Sequence, residues 1–559
     1  MTTMTMATRE VARERQLDWL LDEALGTGER RHVHSQRGVS WLAAAMVVLA
    51  VGVAFGVAML RGDDAARMAQ EPVGEPAFHE CHGPAELDKV PADVTALRCF
   101  DFDDAACARL AKFTKLERLD LSGMDVNDKG YSVSLPITDT GVRELGKITG
   151  LRWLCLARCH AMKGEGLQAL EALPRLEHLD VTYSGILSPA VERLSRLPSL
   201  RTLVLSHCMN FHGDSLRAVA KIPGLRRLEL RACTTIAAKD ALHLVQLKEL
   251  RHLDLRDCQG HFRGQRMDFG FGLFKDTDGD GLPDTSPQQP LEDGNGITDE
   301  VIAALSTRPL HTLLLGGCES LTDAIGDSLA KMTALRVLDV SNLPKTDGSL
   351  LAKLSNELES LELSDNGQYA AAELARMPAL PRLRSLGLSG LKLDAPTLER
   401  VLASKPLRTL ALGGRPSRGK GDRATQPTLD TAAAMKQIAT LADLESLDLR
   451  DATFVDRRLL EAVARLPKLR SLDLTAPLTN PLIDRNDAVA GLAANTSLHS
   501  LRLVWNRLTP ETLQGLRNLP LKELDLRGTT LTDKNVREIA ATWPGCRITL
   551  QNGQILQAR

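Results

Sequence analysis

Residues 276–284 carry side chains whose types and spacing fit the binding of a calcium ion. Carboxylates at the first, third, fifth and ninth positions of a loop, with a glycine at the sixth, offer the oxygen ligands that Ca²⁺ prefers. Position twelve, where a bidentate glutamate would stand, is Pro287, which lowers the expected affinity. We expect a structural calcium site, with a solvated acidic loop as the alternative. The predicted ligands are Asp276, Asp278, Asp280 and Asp284.

A second group of metal-ligating side chains lies nearer the N-terminus, at His79, Cys81 and His82. Two interpretations stay open, a metal site and a disulfide from Cys81 to Cys99, and an oxidising exterior compartment would permit the disulfide. The chain has ten cysteines but no C-x-x-C spacing, so a zinc ribbon and a thioredoxin-type site are unsupported.

Motifs of the common enzyme classes are missing from the sequence. We find no nucleophile elbow, no P-loop, no H-E-x-x-H and no G-x-G-x-x-G after a strand. The formal net charge of -2 also lacks the basic excess of nucleic-acid-binding proteins. We therefore predict a protein that is not an enzyme and whose partner is not a nucleic acid.

One leucine pattern recurs along most of the chain. A clean copy has Leu250, Leu253 and Leu255, with Cys258 three residues later. The usual step between copies is 23 to 25 residues, and each copy alternates a short strand with a helical stretch. Such a period predicts a solenoid in which each repeat is buried only against its neighbours. Copies begin at Leu116, Leu151, Leu176, Leu200, Leu225, Leu250, Leu310, Leu335, Leu358, Leu383, Leu407, Leu444, Leu469, Leu498 and Leu521.

This pattern resembles the leucine-rich repeat family over residues 94–559, and an I/L-T-D run after the strand, as at Ile137, makes it similar to the cysteine-containing subclass of F-box proteins. The resemblance implies an α/β horseshoe with a parallel sheet on its concave face and helices on its convex face. It also implies a ubiquitin-ligase-type substrate adaptor, an alternative that the missing F-box disfavours. The recurring cysteines are Cys159, Cys208, Cys233, Cys258 and Cys318.

The residue between the second and third leucine of each copy should face outward from the sheet. This position is acidic in nine of the fifteen copies, which predicts either an acidic binding surface for a basic partner or a preference for Asp that serves solubility. The predicted surface comprises Asp120, Asp180, Glu229, Asp254, Asp339, Glu362, Asp448, Asp473 and Asp525.

Three long insertions, at 122–136, 259–296 and 413–429, interrupt the period, and each begins just after a strand. Insertions on one edge of a solenoid are typical of a binding rim, although that edge could merely tolerate extra residues best.

The residues before the repeats predict a membrane anchor. Residues 39–60 are 22 residues without a charge, enough to cross a hydrocarbon core of about 30 Å. Arginines are denser in residues 1–38, which contain a short amphipathic helix, so we expect a cytoplasmic N-terminus and an exterior (periplasmic or extracellular) repeat domain. Gly52 and Gly56 form a G-x-x-x-G pair that would let two spans pack as a dimer. Residues 61–93 are expected to form a stalk and an N-terminal cap.

These observations predict a single-pass membrane protein that binds another protein or a surface polymer through its concave face and one loop rim. Two alternatives remain open: a transmembrane signalling component that uses the N-terminal helix, and a structural envelope protein in which the array is a spacer.

Overall fold

The computed structural model describes residues 77–122, 136–208, 213–258, 296–403, 405–414, 429, 431–476 and 483–558, all within the unit Pro76–Arg559. Its short strands follow one another regularly along the chain. In chain order β1 to β21 are His79–His82, Ala96–Phe100, Arg118–Asp120, Trp153–Cys155, His178–Asp180, Thr202–Val204, Arg227–Glu229, His252–Asp254, Thr312–Leu314, Val337–Asp339, Ser360–Glu362, Ser385–Gly387, Thr409–Ala411, Ser446–Asp448, Ser471–Asp473, Ile483–Asp484, Ser500–Arg502, Asn506–Arg507, Glu523–Asp525, Arg547–Thr549 and Ile555–Gln557.

Nineteen of these strands form one sheet. Each pairs in parallel with the strand of the next repeat, so that Leu228, Leu253 and Leu313 lie opposite one another. The antiparallel strand β21 ends the sheet against β20, and β16 and β18 form a separate parallel pair. We call one strand with the segment leading to the next strand a rung. The prediction of a solenoid-like α/β fold with a long parallel sheet is confirmed.

The leucines of the repeat form the core. Leu250, Leu253 and Leu255 are fully buried, and their equivalents in the neighbouring rungs pack above and below them. Burying each such side chain contributes about 1.5–3 kcal/mol before the loss of chain entropy. The +3 and +2 spacing is therefore what makes a strand of three residues stable, because it places three leucines on the inner side of every rung.

Short helices run from the end of one strand to the start of the next. The α-helices α1 to α14 are Asp104–Arg109, Asp139–Leu145, Ser188–Leu194, Gly213–Val219, Ala238–Ala241, Asp299–Leu305, Ile325–Lys331, Ala371–Leu374, Ala395–Leu402, Thr431–Ile438, Arg457–Ala464, Asn486–Ala490, Pro510–Gly515 and Asp533–Ala540. Turns of 3₁₀-helix are found at Pro84–Asp88, Leu110–Lys112, Glu165–Ala172, Leu242–Gln246, Ser349–Lys353 and Gly491–Ala494.

The I/L-T-D run has two separate roles. Thr138 caps α2, its own helix, by accepting a hydrogen bond from the Thr140 N–H at 3.1 Å. Asp139 instead reaches into the next rung, where its carboxylate accepts hydrogen bonds from the Gly164 and Gly166 N–H groups at 2.9 and 2.7 Å. The aspartate therefore ties one repeat to the next.

The turn that follows the strand explains the recurring cysteine. Cys258 is buried, and its thiol donates to the carbonyl oxygen of Leu230 in the preceding rung at 3.1 Å. The residue before it, Asp257, has a φ of 59°, which bends the chain out of the strand. All ten cysteines are buried and free. The disulfide considered above is therefore not formed, although Cys81 and Cys99 lie opposite each other in the register of β1 and β2.

Several predicted features fall outside the described residues. They include the tail, the span at residues 39–60 with Gly52 and Gly56, and most of each long insertion. Each insertion leaves the described chain shortly after a strand, at Ser122, Cys258 and Gly414. Within the described ranges, no helix has the length and apolar character needed to cross a membrane.

Candidate binding surface

Two columns of side chains cover the outer face of the sheet. Because alternate residues of a strand face opposite ways, the central leucine points inward while the first and third residues point outward. The third residues form the predicted acidic column, and the strand register places all nine predicted acids along it.

Most of these acids share a local structural role. The N–H groups one and three residues after the acid pair with the neighbouring rung wherever the structure describes them, and the N–H two residues after the acid lies between them. The N–H groups of Leu255 and Asp257, for example, donate to the carbonyl oxygens of Leu314 and Gly316. Eight of the nine carboxylates accept the intervening N–H, at 2.9 to 3.2 Å. They belong to Asp120, Asp180, Asp254, Asp339, Glu362, Asp448, Asp473 and Asp525.

Arginines neutralise many of the same carboxylates. Asp254 is only 1% exposed and pairs with Arg256 at 2.6 Å, and Arg98 pairs with Asp120 at 2.9 Å. Burial also raises the pKa of Glu229, Asp339 and Asp473 above the usual range. The structure therefore brings the predicted acids together on one face. Their carboxylates already serve the turns of the solenoid, and a role in binding remains a prediction.

A cluster of aromatic and cationic side chains occupies the first outward column near the N-terminal end of the sheet, and Arg98 joins it from the acidic column, where it lies opposite Asp120. The guanidinium of Arg118 lies 4.3 Å from the ring centre of Phe78 and 5.5 Å from that of Trp153. Trp153 stacks on His178 with ring centres 4.9 Å apart, and Arg98 lies over Phe78 at 4.6 Å. We call these five residues the aromatic cluster. Burial lowers the pKa of His178 to about 4, so its ring is neutral near pH 7.

Sequence reasoning missed the aromatic cluster. Its members are supplied by β2, β3, β4, β5 and the residue just before β1, and aromatic residues make up only 3% of the chain. Aligning the repeats could have revealed it, because Arg118, Trp153 and His178 occupy the same position in three successive copies.

The same outward position changes character along the sheet. After Arg227 and His252 it becomes a column of small hydroxyl residues, interrupted only by Val337, before Glu523 and Arg547 close it. The hydroxyl residues are Thr312, Ser360, Ser385, Thr409, Ser446, Ser471 and Ser500.

The predicted calcium ligands Asp276, Asp278, Asp280 and Asp284 lie outside the described residues. Among the residues that are described, no group of three or more His, Cys, Asp or Glu side chains could hold a metal ion. Near the second predicted cluster, His82 instead stacks on Phe100, with ring centres 4.4 Å apart.

Comparison with known proteins supports the repeat. Residues 494–516 match the family model described as Leucine Rich repeat. Together with the strand register, this match supports a leucine-rich repeat protein. No curated protein sequence matches the chain.

Solved structures of low identity are also similar. A leucine-rich repeat protein of Leptospira interrogans is 17% identical, with 85% of this chain and 100% of that chain covered and a TM-score of 0.36. An internalin from Listeria monocytogenes is 15% identical, with coverages of 76% and 83% and a TM-score of 0.32. The ectodomain of the Arabidopsis thaliana receptor kinase GASSHO1/SCHENGEN3, solved with CASPARIAN STRIP INTEGRITY FACTOR 2, is 16% identical, with coverages of 82% and 53% and a TM-score of 0.31.

Proposed function

We propose that this protein is a non-catalytic binding module that holds a protein partner on the outer face of its sheet. The aromatic cluster carries the proposal. Trp and Arg are enriched among the residues that dominate binding energy in protein interfaces, and rigid stacked rings lose little conformational freedom on binding. Phe78, Trp153 and His178 are half-buried, so each ring keeps a surface that a partner could cover.

The loops after the strands would border this face. The insertions at 122–136 and 259–296 leave the chain after β3 and β8, whose strands belong to the same half of the sheet as the aromatic cluster. A partner seated on the cluster would therefore meet these loops as one rim. The calcium site proposed at 276–284 would order one of them.

The membrane anchor belongs to the proposal as well. The uncharged stretch at 39–60 and the arginines before it favour a single span with the N-terminus in the cytoplasm and the sheet outside. Protease treatment tests this placement: a repeat domain that resists protease in intact cells and after the outer layers of the envelope are permeabilised, and is cut only when the cytoplasmic membrane is opened, would lie inside and overturn the proposal.

Photo-crosslinking in living cells tests the binding face. A benzoylphenylalanine placed at position 153 of the full-length protein is expected to give a discrete adduct with a partner protein upon irradiation. The matched control places the same group at Lys221, which is exposed on the helical side of the solenoid. Equal adducts at both positions, or none at position 153, would contradict the proposal.

A further inference from the structure

A third column of side chains runs along the edge of the sheet where the strands begin. The carbonyl oxygen just before each strand accepts two N–H groups from the next rung; that of Arg201 accepts from Arg226 and Arg227 at 2.8 and 2.9 Å. Because this pairing repeats without a break, the residues before the strands stack in register. This edge column is Glu117, Arg152, Glu177, Arg201, Arg226, Arg251, His311, Arg336, Glu359, Arg384, Arg408, Glu445, Arg470, His499 and Lys522.

The edge column contains one long basic run. Five consecutive basic positions, Arg201, Arg226, Arg251, His311 and Arg336, lie between Glu177 and Glu359. Arg226 is exposed, and Arg201 and Arg251 are half-buried. Arg201 and Arg251 donate only to carbonyl oxygens, at 3.2 to 3.5 Å. In the described part of the chain, these three guanidinium groups form no ion pair, because no carboxylate oxygen lies within 4.0 Å of them.

The acids of the same rungs do not cancel this charge. Glu229 already pairs with Arg227, and Asp254 pairs with Arg256, both at 2.6 Å. Arg336 pairs with Glu357 at 3.3 Å, so the positive charge that the described part of this edge leaves available to a partner is that of Arg201, Arg226 and Arg251.

We propose that the run from Arg201 to Arg336 docks a short acidic segment of a protein partner, extended across the starts of the strands. This inference rests on the proposed function, because it specifies the chemistry of the partner. Rungs spaced about 4.8 Å apart give the run a length of about 19 Å, which an extended peptide covers with about six residues. Arginine also favours this partner, because its planar guanidinium matches the geometry of a carboxylate.

The two glutamates that bound the run favour a short acidic segment over a nucleic acid. The phosphates of a nucleic acid continue at regular intervals along the strand, so a bound strand longer than the run would meet Glu177 or Glu359. An acidic peptide can end where the basic run ends.

Direct binding of a labelled dodecaglutamate to the full-length protein tests the inference. We expect binding at low salt that weakens as salt is added, because exposed charges are screened. The triple variant Arg201→Gln/Arg226→Gln/Arg251→Gln should bind about tenfold more weakly. The control is Arg217→Gln/Lys221→Gln/Lys239→Gln, which removes the same charge from exposed positions on the helical side and should bind as the unchanged protein does.

Three results would overturn the inference: no binding of dodecaglutamate by the unchanged protein, equal loss in both triple variants, or tighter binding of an oligothymidine of the same charge than of dodecaglutamate. Crosslinking at position 153 is read independently. If the adduct persists while dodecaglutamate fails to bind, the acidic-segment inference is wrong and the proposed function stands.

Discussion

The rungs that carry cysteine and the rungs that follow them satisfy the same turn with different side chains. Cys258 donates its thiol to the carbonyl oxygen of Leu230, the third core position of the preceding rung. In a later rung Asn366 donates its amide to the equivalent carbonyl oxygen, that of Val340, at 2.8 Å. The fold therefore accepts either residue as a buried donor at this position, whereas Leu343, Leu391 and Ala452 fill the same position in other rungs without a donor.

The two regions differ more in the residues that face outward from the sheet than in those of the core. From β4 to β9, the region that contains the cysteine-bearing rungs, the outward column holds Trp153, His178, Arg227 and His252 beside two threonines, whereas the later rungs hold mostly serine and threonine. Both kinds of side chain flank the same buried leucine, so the packing of the core is compatible with either. Because folding does not require these outward side chains to differ, their differences can serve the recognition of a partner.

The largest effect on stability is expected from removing a core leucine, a change that tests whether the two regions share one core. Leu253→Ala and Leu447→Ala each remove a buried leucine from the middle of a strand, and each should lower the free energy of unfolding by about 2–5 kcal/mol. Hydrogen exchange of the neighbouring strand amides measures the loss rung by rung. A large loss at one site with almost none at the other would show that the two regions are not equivalent.

Asn366→Ala should cost about 3 kcal/mol. The change removes three buried hydrogen bonds, with the Leu343 N–H and the carbonyl oxygens of Val340 and Leu363, at 2.8 to 2.9 Å. Asn366→Cys is the matched control and should recover part of the loss, because a thiol here can donate to the Val340 carbonyl. Urea unfolding provides the measurement, and equal losses in both variants would contradict the equivalence of the two donors.

The corresponding change among the cysteine-bearing rungs should be milder. Cys258→Ala removes one weak sulfur hydrogen bond and leaves a small cavity, at a cost of about 1 kcal/mol, while Cys258→Ser should retain a donor. Urea unfolding of both variants measures this. A loss of stability in Cys258→Ala as large as that in Asn366→Ala would mean that the thiol contributes more to stability than one weak hydrogen bond.

Substitutions at the turn residue two positions after the third core residue should change stability in opposite directions in two rungs. Ala232 has a φ of 56°, which is unfavourable for a residue with a Cβ atom, so Ala232→Gly should stabilise the fold by about 0.5 kcal/mol. Gly528, with a φ of 64°, is its counterpart in a later rung, and a Cβ atom there would lie 2.0 Å from the Trp505 ring. Gly528→Ala should therefore destabilise. Thermal unfolding of the two variants checks both signs.

The smallest effect depends on pH. Burial raises the pKa of Asp339 in the folded state, so this carboxyl favours folding most at pH values below its unfolded pKa and loses that contribution as the pH rises through the folded pKa. Asp339→Asn should therefore gain stability relative to the unchanged protein between pH 4 and pH 7, as measured by urea unfolding. If the free energy of unfolding of the variant minus that of the unchanged protein falls as the pH rises, this sign is contradicted.

The sequence by itself determined the repeat. The leucine spacing, the recurring cysteine and the start points of the insertions can all be read from the sequence of single repeats. Core side chains follow this pattern because they depend on local alternation and on the neighbour one period away. The parallel sheet follows for the same reason, and the structure adds β1 before the repeats, the antiparallel strand β21 after them and the separate pair β16 and β18.

Only the tertiary structure decided what each polar side chain does. Asp139 stands at the start of its own helix, but its carboxylate accepts hydrogen bonds from the next rung. The acidic column was predicted as a charged surface, but Asp254 is buried and paired with Arg256. The aromatic cluster and the edge column were likewise hidden. A sequence shows which position a residue occupies within its repeat, but hydrogen bonds, ring stacking and ion pairs depend on which side chain the adjacent rung brings to within about 3 to 5 Å.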